Sequence, residues 1–334
     1  MVLVNNPGAS PVYQQLDHAE WHGWTFTDTI FPFFLWIGGL ALTLSLGRRL
    51  ESGADRGKIF TQVLRRSLLI FACGLFLAGF PYFPWDRIRI MGVLPRIALC
   101  YLITAAIFLT TKLRGQIAFA IGCMILYAVP MHGDYSVDTN FTRYFDGLFL
   151  SGHMWSRTRV WDPEGLWSTL PAISTMLFGV ITGHWVRNKS HQLSGGLLAG
   201  GAALFLAGLA LSSWIPINKN LWTPSYAIFM SGLAAIVFGI FYWLIDVRGW
   251  KKWATPLVIY GSNAITVFML SGFLARVLSL IRPGGVSLAS RIYRGVFQPL
   301  AAPINASLLY ALAWVLVMFL ITWALYRKKL FVRL

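Results

Sequence analysis

The sequence predicts an all-α protein, a polytopic bundle of helices that cross a membrane. Hydrophobic residues make up 57% of its 334 positions and charged residues only 12%, and the mean hydropathy is +0.62. A soluble domain ordinarily carries about 25% charged residues, so this chain has too few to cover a soluble surface. Apolar runs recur without an internal repeat or a low-complexity linker, so we treat residues 1–334 as a single transmembrane domain.

Nine apolar runs approach the length of a membrane-spanning helix, which requires about 20 mostly apolar residues. They lie near residues 28–47, 66–82, 92–111, 117–131, 166–186, 193–214, 224–245, 253–273 and 306–326. The fourth run is short, and Pro130 is expected to end its helix. The opening MVLVNNPG resembles the tail of one further apolar helix. A cleavable signal peptide is not expected, because the sequence does not open with a basic stretch followed by an apolar one. We therefore expect nine complete spans plus the remnant of a first one.

The distribution of basic residues predicts the orientation of these spans. Of the 28 Lys and Arg residues, 17 fall in one set of loops and 10 in the opposite set. The richer set comprises residues 48–66, 112–116, 187–192, 246–252 and 327–334. Positive loops stay cytoplasmic, so the C-terminus is predicted to be cytoplasmic and residues 17–28 to face outward. Because this rule also explains the net charge of +16, no nucleic-acid partner is expected.

The acidic residues show the opposite distribution. Nine of the twelve lie on the predicted outer side or at its edge, namely Asp17, Glu20, Asp28, Asp86, Asp134, Asp138, Asp146, Asp162 and Glu164. Acidic residues contribute little to topology, so insertion rules do not explain this distribution. An acidic outer pocket suits a cationic or polyhydroxyl substrate, and a basic inner face suits one that bears phosphate.

The stretch DHAEWHGWTFTD, residues 17–28, holds two histidines directly before the first long apolar run. His18 has no apolar periodicity around it and suits a general base or an acyl carrier. His22 follows four residues later, but Gly23 and the aromatic residues argue against a helix that would pair them on a metal. No carboxylate or cysteine completes a ligand set, so no metal is expected. Asp28 can cap the following helix and still serve as a functional carboxylate.

Arg96 lies about one turn inside a predicted span, in the block WDRIRIMGVLPRIALCYL. A charge at that depth costs several kcal/mol unless it is paired or hydrated, so we expect a carboxylate or a polar cavity beside it. Asp86, at the start of the block, is either an interfacial charge or a substrate contact. Both readings stay open at this stage.

Two later segments add polar groups to apolar helices. In RVWDPEGLWSTLPAISTMLFG, Asp162 and Glu164 precede a helix and either cap it or contact the substrate. In VIYGSNAITVFMLSG, Asn263 lies inside a span and either joins helices or contacts the substrate. We expect these groups, with His18 and Arg96, in the outer half of one bundle. The residues alone leave an enzyme and a transporter of a sugar or acyl compound both open.

Five blocks of the sequence together resemble a known family. MVLVNNPG, HAEWHGWTFTDTIFPFFLWIGG, WDRIRIMGVLPRIALCYL, WDPEGLWSTLPAISTMLFGVITG and YGSNAIT occur in the order seen in the heparan-α-glucosaminide N-acetyltransferase family. The resemblance implies that cytosolic acetyl-CoA, as co-substrate, donates an acetyl group to an amino sugar on the outer side. It places the active-site histidine at His18, with Asn5 flanking it. The absence of the additional lumenal domain of animal members resembles the bacterial branch, and so implies a bacterial inner membrane.

This resemblance also suggests roles for the polar residues. Phosphate contacts with CoA are expected from Arg248, Lys251 and Lys252, or from Arg48 and Arg49. Asp28 or Asp162 would orient the imidazole, and Arg96 and Asn5 would stabilise the oxyanion.

A glycine-rich span provides for close helix packing. Gly196 and Gly200 stand four residues apart within 193–214. Such a surface also makes a homodimer possible.

Overall fold

The computed structural model describes residues 1–188 and 193–332, and its regular structure in these ranges is helical. The chain has no strand there beyond a single bridge between Gly23 and Asn218. Two of the basic residues used to predict the orientation, Lys189 and Arg333, lie outside the described residues. The prediction of an all-α polytopic membrane protein is confirmed.

Thirteen α-helices occur in the described ranges. They are α1 (Val2–Asn5), α2 (Phe26–Glu51), α3 (Arg56–Gly79), α4 (Val93–Thr110), α5 (Leu113–Ala128), α6 (Phe141–Leu150), α7 (Thr169–Arg187), α8 (Leu193–Leu211), α9 (Pro224–Tyr242), α10 (Thr255–Gly261), α11 (Ala264–Leu280), α12 (Leu288–Ile292) and α13 (Pro303–Arg327). The helix expected from the opening residues is represented by α1 alone.

Within the described residues, eight helices are long and apolar enough to cross a membrane, and a bent pair makes a ninth span if counted as one. The pair is Lys252–Gly261 with Ala264–Leu280, bent by 63°. Each predicted run therefore corresponds to a helix or to this pair. Helix α3 begins ten residues before the predicted run, because its basic first turns continue the helix beyond the apolar segment. Long basic side chains reach the membrane surface from such turns.

The chain forms two compact units. The terminal unit comprises residues 1–18, 25–27 and 249–334, and the central unit comprises residues 19–24 and 28–248. The single-domain assignment for residues 1–334 stays a prediction.

Helices of the central unit approach closely where glycine removes the side chain. A Cβ built on Gly39 of α2 would lie 1.9 Å from the carbonyl oxygen of Met176. A Cβ on Gly179 of α7 would lie 1.9 Å from the carbonyl oxygen of Trp36. The two backbones thus touch reciprocally, as small residues allow in membrane helices. Trp36 and Leu40 are buried in the apolar cluster beside this crossing.

Side chains in the terminal unit hold its opening segment. The amide of Asn6 donates to Val2 O (2.8 Å) and to Ser271 Oγ (3.0 Å). Ser307 Oγ of α13 accepts from the backbone N–H groups of Gly8 (3.1 Å) and Ala9 (3.2 Å). These bonds hold residues 6–9, which follow α1, against α11 and α13.

The contact between α2 and α7 predicts that Gly179→Ala lowers the melting temperature of the purified protein. Its new methyl group meets a backbone carbonyl that cannot rotate away, and overpacking typically costs about 1–3 kcal/mol. The matched control is Gly122→Ala in α5, where no heavy atom lies within 4 Å of the new Cβ. Equal melting temperatures for the two variants would contradict the close approach.

Candidate functional site

Arg96 lies in the first turn of α4, and its side chain is 0% exposed. Its Nη2 donates to the carbonyl oxygen of Gly165 (2.8 Å) and to Ser168 Oγ. The guanidinium carbon lies 5.3 Å from the ring centre of Trp222, which permits a cation–π interaction. A carbonyl, a hydroxyl and an aromatic face therefore surround the buried cation.

Two of the three guanidinium nitrogens of Arg96 have spare donors. Among the described residues, Nε and Nη1 are buried and have no hydrogen-bond partner. Buried polar groups are normally bonded, and each unbonded one costs free energy. The spare donors therefore suit water molecules or a substrate oxygen.

Asp28 connects to Arg96 through two aromatic side chains of the central unit. The hydroxyl of Tyr226 donates to the carbonyl oxygen of Asp28 (2.6 Å). The ring of Tyr226 packs edge-on against that of Trp222, with centroids 5.4 Å apart. Asp28 itself is 1% exposed, lies in the first turn of α2, and accepts from the backbone N–H of Ala19 (3.1 Å).

An ion cluster lies immediately before α7. Arg89 Nε donates to Asp162 Oδ2 (2.7 Å), and Arg89 Nη2 bonds both Asp162 Oδ1 and Glu164 Oε2. Lys219 Nζ lies 3.6 Å from the other Glu164 oxygen. The acidic side chains are buried, whereas that of Arg89 is 23% exposed. Arg89 and Lys219 therefore compensate the charges of the two carboxylates, which the sequence predicts as helix caps or substrate contacts.

The charges of this cluster control the ionisation of Glu164. Burial opposes the charged form, but Lys219, Arg89 and Arg96 outweigh it and lower the pKa of Glu164 to about 2. Glu164 is therefore ionised at neutral pH, with its charge compensated inside the protein.

Asp146 of α6 holds the turn that follows the ion cluster. Its Oδ1 accepts from the backbone N–H groups of Leu166 (2.8 Å) and Trp167 (3.2 Å). Its side chain is buried, and a Cβ on Gly165 would lie 1.7 Å from its Oδ2. Burial raises the pKa of Asp146 to about 6, against the opposing effects of the two N–H bonds and of Arg96.

His18 and Asn5 lie in the terminal unit, and both are exposed. The backbone N–H of His18 donates to Asp17 Oδ1 (2.8 Å), and the carbonyl of Asp17 accepts from Thr25 Oγ1 (2.5 Å). These bonds present the imidazole on an irregular loop, as the glycine and aromatic pattern of the stretch predicts. Asn6, next to Asn5, is the buried asparagine of the pair.

Asn263 occupies the break between α10 and α11, where its Oδ1 accepts from Val332 N (2.9 Å) and its amide donates to Leu330 O (3.3 Å). It therefore lies beside the C-terminal segment, which is predicted to be cytoplasmic. The predicted cytoplasmic C-terminus and the predicted place of Asn263 in the outer half do not agree with each other, and both stay predictions. Its bonds agree with the reading as a structural group that joins segments.

The other residues selected from the sequence are on the surface. Asp86 is exposed, and its Oδ2 lies 3.9 Å from Arg87 Nε. Arg248, Lys251 and Lys252 are exposed in the connection between α9 and α10, and the Arg248 guanidinium covers the ring of Trp243 at 4.7 Å. In the parts of the chain that the structure describes, no three His, Cys, Asp or Glu residues are grouped to hold a metal ion.

Sequence reasoning missed the functional context of Arg89, Lys219 and Asp146. Arg89 stands near other charged residues of its loop, and no local pattern in the sequence indicates that it pairs with Asp162. Asp146 was one of several outer acids. The available signal was an acidic residue in the mostly aromatic and aliphatic segment FTRYFDGLFL, which is the sequence of α6.

The ion cluster predicts that Arg89→Met destabilises the protein, whereas Arg87→Met, at an exposed position, has little effect. Removing one partner of a buried ion pair typically costs about 3–5 kcal/mol, because it leaves an uncompensated charge. Thermal unfolding of the purified variants at pH 7.5 measures the difference.

The same variants test the ionisation of Glu164. Its folded pKa of about 2 lies below its ordinary value of 4.5, so its stabilising contribution is present above pH 4.5 and is lost as the pH falls toward 2. The gap in melting temperature between wild type and Arg89→Met should narrow over this range. A gap that stays constant with pH would contradict the role of Arg89.

Comparison with known proteins identifies the family. A family model described as "Heparan-alpha-glucosaminide N-acetyltransferase, catalytic" matches residues 10–214. The chain is 27% identical to heparan-alpha-glucosaminide N-acetyltransferase of Homo sapiens and 28% identical to that of Mus musculus. Each similarity covers 80% of this chain and 50% of the relative, so the chain spans about half the length of the curated relatives it matches. The chain belongs to the heparan-alpha-glucosaminide N-acetyltransferase catalytic family.

Proposed function

We propose that the chain transfers an acetyl group from acetyl-CoA to the amino group of a glucosamine-type acceptor. The observation that carries this proposal is the family match, because residues 10–214 include His18, Asp28, Arg96 and the segment 162–168. These four parts of the candidate site therefore lie within the matched region. Asn5 and Asn263 lie outside the matched region, as do Arg248, Lys251 and Lys252.

In the proposed reaction, His18 is the group that handles the proton or the acetyl group. As a general base, its imidazole takes the proton of the attacking amine while the amine nitrogen bonds the thioester carbon and the C–S bond breaks. The CoA thiolate then leaves and is protonated. As a carrier, the imidazole nitrogen itself bonds the acetyl carbon while the C–S bond breaks and CoA leaves as its thiolate, which is then protonated. The amine nitrogen later bonds the acetyl carbon, the bond from that carbon to the imidazole breaks, and the imidazole takes the proton of the amine. An exposed imidazole on an irregular loop is accessible for either route.

Arg96 is the proposed source of positive charge for the oxygen of the reacting carbonyl. The spare N–H groups on its Nε and Nη1 are the support, since donors aimed at a developing oxyanion typically contribute about 3 kcal/mol. For Asn5 the support is its exposed amide in the segment that precedes His18.

The proposed contacts with a cationic acceptor divide into direct and indirect ones. Asp86 is exposed and can meet the acceptor directly. Asp162 and Glu164 have internal cationic partners, so we assign them an indirect part through Arg89.

The proposed sidedness follows from the charge of the loops. Acetyl-CoA carries phosphates that cannot cross a bilayer, so we place its nucleotide end at the basic cytoplasmic face and the acceptor outside. The exposed cations Arg248, Lys251 and Lys252 are the proposed phosphate contacts. For the membrane itself, we propose the bacterial inner membrane, with the C-terminus in the cytoplasm.

The first test compares His18→Ala with His22→Ala, since both histidines are exposed in the same stretch. Transfer of label from acetyl-CoA to glucosamine is measured with purified wild type and variants. We expect His18→Ala to lose at least about 100-fold in kcat, the usual contribution of general acid–base catalysis, and His22→Ala to stay near wild type.

Two results would contradict the proposal, one in this assay and one in a transport assay. Equal rates for the two variants would remove His18 from the reaction. Movement of the sugar across vesicles containing the wild type, without consumption of acetyl-CoA, would identify a transporter instead.

The sidedness is tested by labelling cysteines introduced at two exposed positions, Val137 and Trp250. In intact cells, a membrane-impermeant maleimide should label Val137→Cys and leave Trp250→Cys unlabelled until the cells are opened. The wild type, with Cys73, Cys100 and Cys123 all inside spans, supplies the background. The reverse pattern would overturn the orientation.

A further inference from the structure

The peptide unit between Gly165 and Leu166 lies between a buried cation and a buried carboxyl group. Its carbonyl oxygen accepts from Arg96 Nη2 (2.8 Å), and its N–H donates to Asp146 Oδ1 (2.8 Å). This bond is trans, since the cis peptides of the described residues are Ser10–Pro11 and Phe80–Pro81, and in a planar trans peptide the C=O and N–H point in opposite directions. Arg96 of α4 and Asp146 of α6 therefore bind opposite edges of one rigid plane.

Both bonds on this plane involve an ionisable side chain in a region shielded from water. Arg96 and Asp146 are each 0% exposed. Hydrogen bonds to charged groups are shorter and stronger than neutral ones, and bonds in series polarise one another. An acceptor oxygen on the N–H makes the carbonyl oxygen a better acceptor for the guanidinium. The position of the Arg96 guanidinium thus depends on Asp146, although the two side chains need no direct contact.

The packing around Gly165 leaves this plane little freedom to move. A Cβ on Gly165 would lie 1.7 Å from Asp146 Oδ2, so the carboxyl group occupies the space of a side chain. The carbonyl of Gly165 also accepts from Thr169 Oγ1 (2.7 Å), which connects it to the first turn of α7. Asp146 in addition binds the next N–H, that of Trp167. The turn is thereby fixed from three elements, α4, α6 and α7.

From this arrangement we propose that Asp146 is a positioning residue, which holds Arg96 for the reaction by acting through the Gly165–Leu166 peptide. The inference rests on the proposed function insofar as Arg96 serves the acetyl transfer. The inference adds Asp146 to the proposed site. Asp146 belongs to α6, which is not one of the candidate spans, and it does not touch the reacting atoms in the proposed mechanism. The acceptor oxygen Oδ1 does the positioning, so a side chain that keeps this oxygen keeps the effect.

The test uses the conservative and the disruptive replacement of Asp146 together with Arg96→Lys. Asp146→Asn retains an acceptor oxygen for the two N–H groups, whereas Asp146→Ala removes it. Gly147→Ala is the matched control on the same helix, because its new Cβ meets no atom within 4 Å. For each variant, kcat, both KM values and the melting temperature are measured.

We expect Asp146→Ala to lower kcat by about tenfold or more with little change in KM, as for an interaction made in the transition state. Asp146→Asn should stay within about threefold of wild type, a rescue that links the effect to Oδ1. In the Arg96→Lys background, Asp146→Ala should cost less than about threefold further, because residues that act together are not additive. Full additivity, or a failure of Asn to rescue, would overturn the proposal.

The melting temperatures separate this inference from the proposed function. If the wild type transfers no acetyl group, the proposed function fails, but the combined variant should still lose less stability than the sum of the single ones. Additive losses of stability would then refute the coupling between Asp146 and Arg96. Non-additive losses would support it without reference to catalysis.

Discussion

Burying the charge of Arg96 at the start of a membrane span is the constraint on which the surrounding structure depends. An isolated cation there would cost several kcal/mol, yet its side chain is fully buried. The protein stabilises it with the Gly165 carbonyl, the Ser168 hydroxyl and the face of Trp222, which come from two other segments of the chain. Each of these must be fixed for the arrangement to hold.

The segment before α7 is the part most clearly shaped by this requirement. Arg89 and Lys219 balance Asp162 and Glu164 on one side of it, and Asp146 binds the turn on the other. The carboxylates of Asp162 and Glu164 are buried beside cationic partners, and removing such a partner costs more stability than the pair itself contributes. Among the described residues, Nε and Nη1 of Arg96 have no hydrogen-bond partner, which is costly for folding alone and suits a site that receives a substrate oxygen.

Hydropathy was sufficient to predict the helical class and the positions of the spans, because each span must bury about 20 apolar residues in lipid. Hydropathy could not predict the 63° bend at Asn263, because a single polar residue in an apolar run is equally typical of a bend and of a substrate contact. Nor could it find α6, a short helix whose exposed residues Tyr144, Leu148 and Phe149 are apolar and whose buried Asp146 is charged.

Of the candidate site, residue type and depth in the span correctly marked Arg96 as a charge that needs polar surroundings. The partners of Asp162 and Glu164 could not be predicted, because Arg89 and Lys219 are about 70 and 55 residues away in the sequence and no local pattern records the pairing. Single-sequence reasoning identifies groups that require partners, whereas the fold determines which partners they find.

The central claim is that an acetyl group passes from a cytoplasmic donor to an acceptor on the other side of the membrane. Its most direct test uses sealed vesicles in which the protein has one orientation, with labelled acetyl-CoA and glucosamine in separate compartments. The account predicts labelled product in the glucosamine compartment when acetyl-CoA is on the side of residue 250, and none in the reverse arrangement. Product formed only when both substrates share a compartment would contradict transfer across the membrane.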